Sequence, residues 1–187
     1  MIPLTVFDTP GRSNTEETIA LALKAAKERN IGTIIVPSSS GKTAEYMGTI
    51  DTMGIHVIIV TLVNGFKANG VQPFSPVLRK ELTEKGMDVL TTTHVLSGAE
   101  RGISTRFQGA YPVEIIAHTL RMFGQGTKVA LECAVMALDS GLITFGQKVM
   151  ALGGTGGGVD TAIVMTPGHA SRIFESRLHE VICKPML

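Results

Sequence analysis

The fold follows from one stretch, Ile34–Tyr46, which reads Ile34-Ile35-Val36-Pro37-Ser38-Ser39-Ser40-Gly41-Lys42-Thr43-Ala44-Glu45-Tyr46. Its β-branched start predicts a buried strand, the serines with Gly41 predict a turn, and the residues after Thr43 predict a helix. A strand, a loop of small residues and a helix start in this order present unpaired backbone N–H groups to an anion. Lys42 adds a positive charge, and the hydroxyl groups add hydrogen-bond donors. The loop is therefore either a phosphate site or a helix cap, because serine is also a common N-cap residue.

Strands and helices alternate on both sides of this stretch. Strands are predicted at 4–7, 33–36, 55–61, 87–91, 148–152 and 160–165, and helices at 15–30, 43–53, 77–85, 112–124, 127–140 and 170–181. Ser13 and Asn14, each with a glutamate three residues later, offer two overlapping capping boxes for the first helix. This order predicts one domain over residues 1–187, with a three-layer α/β/α fold and a mainly parallel sheet. We expect 160–165, the last predicted strand, to form an antiparallel edge.

The amino-acid composition limits the kind of protein and the kind of binding partner to be expected. The 187 residues are 44% hydrophobic and 18% charged, which is typical of a soluble globular protein. The formal net charge of +1 gives no reason to expect a nucleic acid or an anionic membrane as partner. Cys133 and Cys183 lack a CxxC spacing and no signal-peptide pattern begins the chain, so we expect reduced thiols in a cytoplasmic protein. The sequence leaves the oligomeric state open, including a homo-oligomer.

A second loop of small residues reads Gly153-Gly154-Thr155-Gly156-Gly157-Gly158 and lies between two predicted strands. Its glycines lack the spacing of a dinucleotide-binding motif. The first loop is not a Walker A loop either, because Val36 stands where that motif needs glycine. Bare backbone can nevertheless approach a ligand closely. The glycine run is therefore either one side of a ligand site or a flexible hairpin loop.

Residues 92–110 predict a long irregular loop, and such loops in compact domains are often functional. His94 directly follows a predicted strand, and Ser97 and Arg101 come soon after it. These three residues are candidates for polar contacts to a ligand. Thr61 ends the neighbouring strand 55–61 and joins this set, because open α/β sheets bind ligands at the carboxyl ends of their strands.

Glu114 and His118 share one face of a predicted helix, and this spacing suits either an acid/base pair or a structural pair. No third residue stands at a metal-ligand spacing, so we expect no metal site. His94 is the other acid/base candidate. No nucleophile with a base at a recognisable spacing stands out, so the residues alone assign no catalytic group.

Two segments resemble the C-terminal domain of pyruvate kinase. Ser40-Gly41-Lys42-Thr43-Ala44 and the strand 57–61 are similar to that domain's Ser-Gly-Arg-Ser/Thr-Ala loop and next strand, and 141–162 is similar to its final strand, loop and strand. The resemblance implies the fold of that domain and two loops that bind a phosphorylated ligand, which in pyruvate kinase is a sugar bisphosphate effector. Lys42 replaces the family's arginine and the second loop is richer in glycine, so the sugar specificity does not carry over.

Longer blocks resemble a stand-alone family of pyruvate kinase C-terminal domain-like proteins of uncharacterised function. The blocks are 14–17, 96–98, 100–101, 113–117, 119–126 and 153–156. A basic residue usually stands in that family where this chain has Gly157. The resemblance implies flavin mononucleotide (FMN) as the cofactor. It also implies that pyruvate kinase activity is absent, because a catalytic (β/α)₈ barrel takes about 250 residues, which is more than the 187 residues of this chain.

The sequence thus predicts binding of a phosphorylated small molecule, with FMN as the ligand that the resemblance implies, in a cleft between Ser38–Thr43 and Gly153–Gly158. The predicted contacts are Ser38, Ser39, Ser40, Gly41, Lys42, Thr43, Thr61, His94, Ser97, Arg101, Gly153, Gly154, Thr155, Gly156 and Gly157. The alternative is a small enzyme that acts on such a ligand, with His94 or the Glu114/His118 pair as the acid/base group.

Overall fold

The computed structural model describes residues 4–186, and within this range seven strands form one sheet with six α-helices around it. The strands are β1 (Thr5–Phe7), β2 (Thr33–Pro37), β3 (His56–Val60), β4 (Asp88–Leu90), β5 (Val149–Gly153), β6 (Thr161–Thr166) and β7 (Arg177–Pro185). The helices are α1 (Thr15–Glu28), α2 (Lys42–Met47), α3 (Pro76–Glu84), α4 (Gly98–Phe107), α5 (Pro112–Arg121) and α6 (Gln125–Asp139). Short 3₁₀ helices lie at Arg12–Asn14 and Ala170–Glu175.

The strands lie in the order β1-β7-β6-β5-β2-β3-β4. Neighbouring strands are parallel except in the pairs β5–β6 and β6–β7, so β6 runs against both of its neighbours. The predicted α/β class and mainly parallel sheet are confirmed. The expected antiparallel edge is wrong, because β6 lies inside the sheet and the two edges are β1 and β4.

The tail of the chain explains that error. A helix is predicted at 170–181, but the structure has a 3₁₀ helix followed by β7, which pairs with β6 on one side and β1 on the other. Val181 and Ile182 favour a strand, while the residues before Arg177 have no strand-like alternation. Pairing on both sides decides the conformation, and single-sequence periodicity does not contain that information.

Alternate residues of the strands face two separate cores. Ile34 and Ile59 point to the face that α1, α2 and α3 cover. Ile35 and Ile58 point to the opposite face, where α6 packs through its small residues. This period of two is the geometry of an extended strand. Helices on both faces give the predicted three-layer α/β/α arrangement, which is confirmed.

Three local predictions differ from the structure. Asn14 is the N-cap of α1, but no side chain caps this helix, because the Asn14 amide donates to the Thr9 carbonyl oxygen at 2.7 Å instead. α2 ends at Met47 rather than at residue 53. The predicted loop 92–110 contains α4, which two glycines and the absence of a buried stripe hide from a periodicity argument.

One long-range ion pair ties α1 to the tail strand. The Arg29 guanidinium, just after α1, donates to both carboxylate oxygens of Glu180 on β7 at 2.6 and 2.5 Å. This hydrogen bond raises the pKa of Arg29 and lowers the pKa of Glu180. Within residues 4–186, no helix is long and apolar enough to cross a lipid bilayer.

We predict that Arg29→Gln lowers the free energy of unfolding by about 1 kcal/mol at pH 7, the upper range for a pair this exposed to solvent. Because the Glu180 pKa is lowered in the folded state, the pair stabilises the protein above the ordinary glutamate pKa of about 4.3. This stabilisation is lost as the pH falls through the lowered pKa. Urea unfolding at several pH values measures the difference.

Lys24→Gln is the matched control, since Lys24 is an exposed residue of α1 that forms no ion pair among residues 4–186. We expect it to unfold like the wild type at every pH. A difference between Arg29→Gln and wild type that stays constant down to pH 2 would contradict the assignment to Glu180.

Candidate functional site

A cavity of about 270 Å³ opens where the parallel strands β5, β2, β3 and β4 end. This is the edge at which open α/β sheets bind ligands. The predicted site residues that line the cavity are Ser38, Ser39, Ser40, Lys42, Thr43, Thr61, His94, Ser97, Arg101, Gly154 and Gly157. The structure therefore brings the two loops together, although more than a hundred residues separate them in the sequence.

Four predicted residues do not line the cavity: Gly41, Gly153, Thr155 and Gly156. Lining residues outside these predicted contacts are Arg12, Pro37, Val60, Leu62, Phe66, Arg121, Gln125, Lys128, Val129, Glu132, Cys133 and Met136, together with Gly158 from the predicted glycine run. Most of these additional residues lie in α6 or, in the case of Arg121, at the end of α5. Helix α6 carries an apolar pattern that predicts core packing, and only the folded chain shows that one side of it, from Gln125 to Met136, also faces a cavity.

The loop Ser38–Thr43, called the serine loop below, has two roles. Part of it caps α2, and part of it lines the cavity. The Ser38 hydroxyl accepts a hydrogen bond from the Ala44 backbone N–H at 3.1 Å, so Ser38 caps α2 from a buried position. Ser39 and Ser40 are exposed at the cavity. Gly41 adopts φ 99°, a conformation that suits glycine, and turns the chain into α2. The helix-cap interpretation therefore holds for Ser38, whereas its neighbours remain available to a ligand.

Asp160 holds the glycine run in place. Its carboxylate is fully buried and accepts hydrogen bonds from the backbone N–H groups of Gly11 at 2.9 Å and Thr155 at 3.1 Å. A second oxygen accepts from the Thr161 hydroxyl at 2.9 Å. Thr155 is thus engaged in the structure rather than at the cavity. The same carboxylate brings the loop before α1, and with it Arg12, to the glycine run.

Gly153 has a packing role. A Cβ at this position would overlap the Gly126 carbonyl oxygen, and a Cβ at Gly126 would overlap the Thr161 hydroxyl. The first turn of α6 therefore lies directly on the ends of β5 and β6. This close approach sets the distance between α6 and the sheet, and the cavity lies beside it.

The charged side chains around the cavity are mostly cationic. They are Arg12, Lys42, Arg101, Arg121 and Lys128, against the single carboxylate of Glu132. Lys128 is paired with Glu132, while the other four form no ion pair among the described residues 4–186. Arg121 is oriented by the Gln125 side chain, which accepts from its Nε at 2.7 Å. The whole chain has a net charge of +1, so this positive potential is local to the cavity.

The Lys128–Glu132 pair is buried in the cavity wall, with both side chains 7% exposed. Glu132 Oε2 accepts from Lys128 Nζ, and Glu132 Oε1 accepts from the Leu96 backbone N–H at 2.9 Å. The pair therefore fixes the segment that follows β4 onto α6. His94 and Ser97 owe their positions at the cavity to this anchor.

His94 is a neutral side chain in this wall. Burial is the main cause that lowers its pKa. Its Nε2 accepts a hydrogen bond from the Val63 backbone N–H at 3.3 Å, which requires an unprotonated nitrogen, and its ring lies 5.2 Å from that of Phe66. Cys133 also lines the cavity, but burial raises the pKa of its thiol, so it stays protonated.

Glu114 and His118 do not lie at the cavity. The Glu114 carboxylate accepts from the Ser104 hydroxyl at 2.6 Å and so ties α5 to α4, while His118 is exposed on α5. Glu114 therefore acts in the packing of two helices. Within residues 4–186, no group of three or more histidine, cysteine, aspartate and glutamate side chains is arranged to hold a metal ion.

The family model of the pyruvate kinase alpha/beta domain matches residues 16–165, which is most of the 187-residue chain. The chain belongs to the pyruvate kinase alpha/beta domain family. The seven-stranded, mostly parallel sheet agrees with this assignment. The matched range contains both loops and all of α6, whereas Arg12 lies before it and β7 after it. One cation of the cavity and the tail strand are thus outside the part of the chain that the alpha/beta domain family model matches.

We predict that Gly153→Ala lowers the free energy of unfolding by about 3 kcal/mol or more, because the new methyl group meets backbone atoms that cannot rotate away. Gly32→Ala is the control, since a Cβ there meets no atom within 4 Å. We expect this second variant to be at least as stable as the wild type. Urea unfolding compares both variants, and equal stabilities would contradict the close approach of α6 to β5.

We predict that Glu132→Gln lowers the free energy of unfolding by about 3 kcal/mol, because it leaves the Lys128 ammonium buried without a counter-charge. The double variant Glu132→Gln with Lys128→Met removes that charge, and the glutamine oxygen can still accept from the Leu96 N–H. It should therefore recover most of the loss. A double variant no more stable than Glu132→Gln, measured by urea unfolding, would show that the buried charge is not the cause.

Proposed function

We propose that this protein binds a phosphorylated small molecule in the cavity at the carboxyl end of its sheet, and that FMN is the first ligand to test. The observation that carries the proposal is the charge of the cavity wall. Arg12, Lys42, Arg101 and Arg121 surround one space with no carboxylate paired to any of them among residues 4–186. Cations held together without counter-charges repel each other, and an anionic ligand relieves that repulsion.

The serine loop and the glycine run support a phosphate at this site. Ser39 and Ser40 offer hydroxyl donors, and Lys42 offers an ammonium group beside them. Across the cavity, Gly157 offers bare backbone, and the Arg12 guanidinium lies close to it. Hydrogen bonds from charged donors to phosphate oxygens are among the strongest in proteins.

The remaining wall supports a ligand with an apolar body. Val60, Leu62, Phe66, Val129 and Met136 line the cavity and place apolar surface next to the cationic part. A flat ring system such as that of FMN matches this division, and the chemistry that FMN supplies when bound is redox chemistry of its ring. The volume of about 270 Å³ is just below the range of about 300–1,000 Å³ that is usual for such sites. A ligand as large as FMN would therefore extend into the open mouth of the cavity.

An enzyme that acts on the same ligand is the second candidate, because His94 lies in the cavity wall. Its Nε2 accepts a hydrogen bond from the Val63 N–H, so this nitrogen is already engaged in the ligand-free protein. Glu114 and His118 lie elsewhere. Binding is therefore better supported than catalysis, and turnover that disappears in His94→Gln at unchanged ligand affinity would reverse that order.

The proposed partner is a small molecule rather than a nucleic acid, because the cluster of cations lines a cavity and the whole chain carries only +1. A cytoplasmic location is proposed together with it. Its support is that Cys133 and Cys183 are both free and buried, which suits a reducing compartment.

We predict that Lys42→Gln weakens FMN binding by about 10- to 100-fold, the equivalent of losing one charge-assisted hydrogen bond of about 1.5–3 kcal/mol. Lys67→Gln is the matched control, because Lys67 is exposed but does not line the cavity. Quenching of FMN fluorescence on titration with protein gives the dissociation constants. Equal affinities for Lys42→Gln and Lys67→Gln would remove the serine loop from the site, and no binding by the wild type would remove FMN as the ligand.

A further inference from the structure

We propose that α4 is a lid over the cavity and that its Arg101 draws it onto an anionic ligand. This inference rests on the proposed function and adds a moving part to the same site.

Helix α4 has no hydrophobic attachment to the domain. None of its ten residues is buried. Its two large apolar side chains, Ile103 and Phe107, are 44% and 71% exposed. Burial of an apolar face normally supplies most of the stability of a short helix in a protein. Without it, the position of α4 is determined by polar contacts alone.

Those polar contacts all go to α5. The Glu100 carboxylate accepts from the backbone N–H groups of Val113 at 3.1 Å and Glu114 at 2.9 Å, in the first turn of α5. The Ser104 hydroxyl donates to the Glu114 carboxylate at 2.6 Å. All three bonds are only partly buried, so water can take the place of the lost partners when α4 moves. The contacts therefore set the position of α4 but do not prevent the helix from moving away from it.

Residues at both ends of α4 are placed to act as hinges. Gly98 begins the helix with φ 41°. Gln108 and Gly109 follow it with φ 60° and 104°. A few residues at the ends of an element are what absorbs the change in a hinge motion. Ahead of Gly98, the Glu132 carboxylate holds the Leu96 N–H, so the fixed point of the hinge is well defined.

Arg101 connects this mobile helix to the ligand. It is exposed, lines the cavity together with Ser97, and has no carboxylate partner among residues 4–186. A phosphate in the cavity would be a counter-charge for Arg101, on a helix that is otherwise held only by its polar contacts to α5. Closure would also cover the part of a ligand that extends into the open mouth. Arg101 is therefore the residue through which the site senses an anion.

Hydrogen–deuterium exchange tests the lid on the intact protein. In the ligand-free state, the amides of α4 should exchange at least about 100-fold faster than those of α6, because unpacked helices open at low cost. With saturating FMN, the exchange of α4 should slow by about tenfold. Occupancy is monitored in the same samples through the amides of the serine loop and through FMN fluorescence.

Arg101→Gln and Arg106→Gln form a matched pair on the same helix. Arg106 is exposed, does not line the cavity and lies about 140° around the helix from Arg101. At equal FMN occupancy, Arg106→Gln should show the protection of α4 seen in the wild type. Arg101→Gln should show none and should bind FMN about 10- to 100-fold more weakly.

The possible failures are distinguishable. Ligand-free α4 amides that exchange as slowly as those of α6 would overturn the lid without any reference to a ligand. Protection of the serine loop without protection of α4 would overturn the lid and leave the proposed function standing. Equal protection of α4 in Arg101→Gln would overturn the role of Arg101. Wild-type protein that neither binds FMN nor gains protection anywhere would overturn the proposed function and the lid together.

Discussion

The backbone of α6 touches the end of β5, and the candidate site depends on that contact. Neither Gly126 nor Gly153 has a side chain to separate the two elements. The helix therefore starts on the sheet itself and packs against β5, β2, β6 and β3. Lys128, Glu132 and Met136 reach the cavity wall from this position. A methyl group at the crossing point would move all of them at once.

A second buried group, the Asp160 carboxylate, joins the loop before α1, which precedes the matched range, to the glycine run near the end of that range. It accepts the N–H of Gly11 from one loop and that of Thr155 from the other. Its burial makes these bonds valuable, because an ionised carboxylate away from water needs every donor it can find. Arg12 faces the glycine run as a result, and the cavity gains one of its cations.

The charged side chains of the cavity wall fall into two groups, a buried ion pair and a set of four further cations. Lys128 and Glu132 neutralise each other inside the wall and serve the architecture, since Glu132 also holds the Leu96 N–H. Four further cations stand at the surface of the cavity without such partners among the described residues. The buried pair leaves neither of its charges without a partner inside the protein, whereas the other four cations are the ones to which the proposed anionic ligand would bind.

The pairing of the two loops was predicted from the resemblance to the pyruvate kinase domain. The sequence alone determined the class of fold and the stretch Ile34–Thr43 as strand, loop and helix start. Local rules suffice there, because β-branched runs, small residues and helix starts carry their preferences in neighbouring positions. Tertiary structure alone decided the rest. Residues 177–185 became a strand through pairing on both sides, and α4 formed without a buried stripe. Arg12 is more than a hundred residues away from Arg121 and Lys128, and no local pattern reveals that folding places their charges around one cavity.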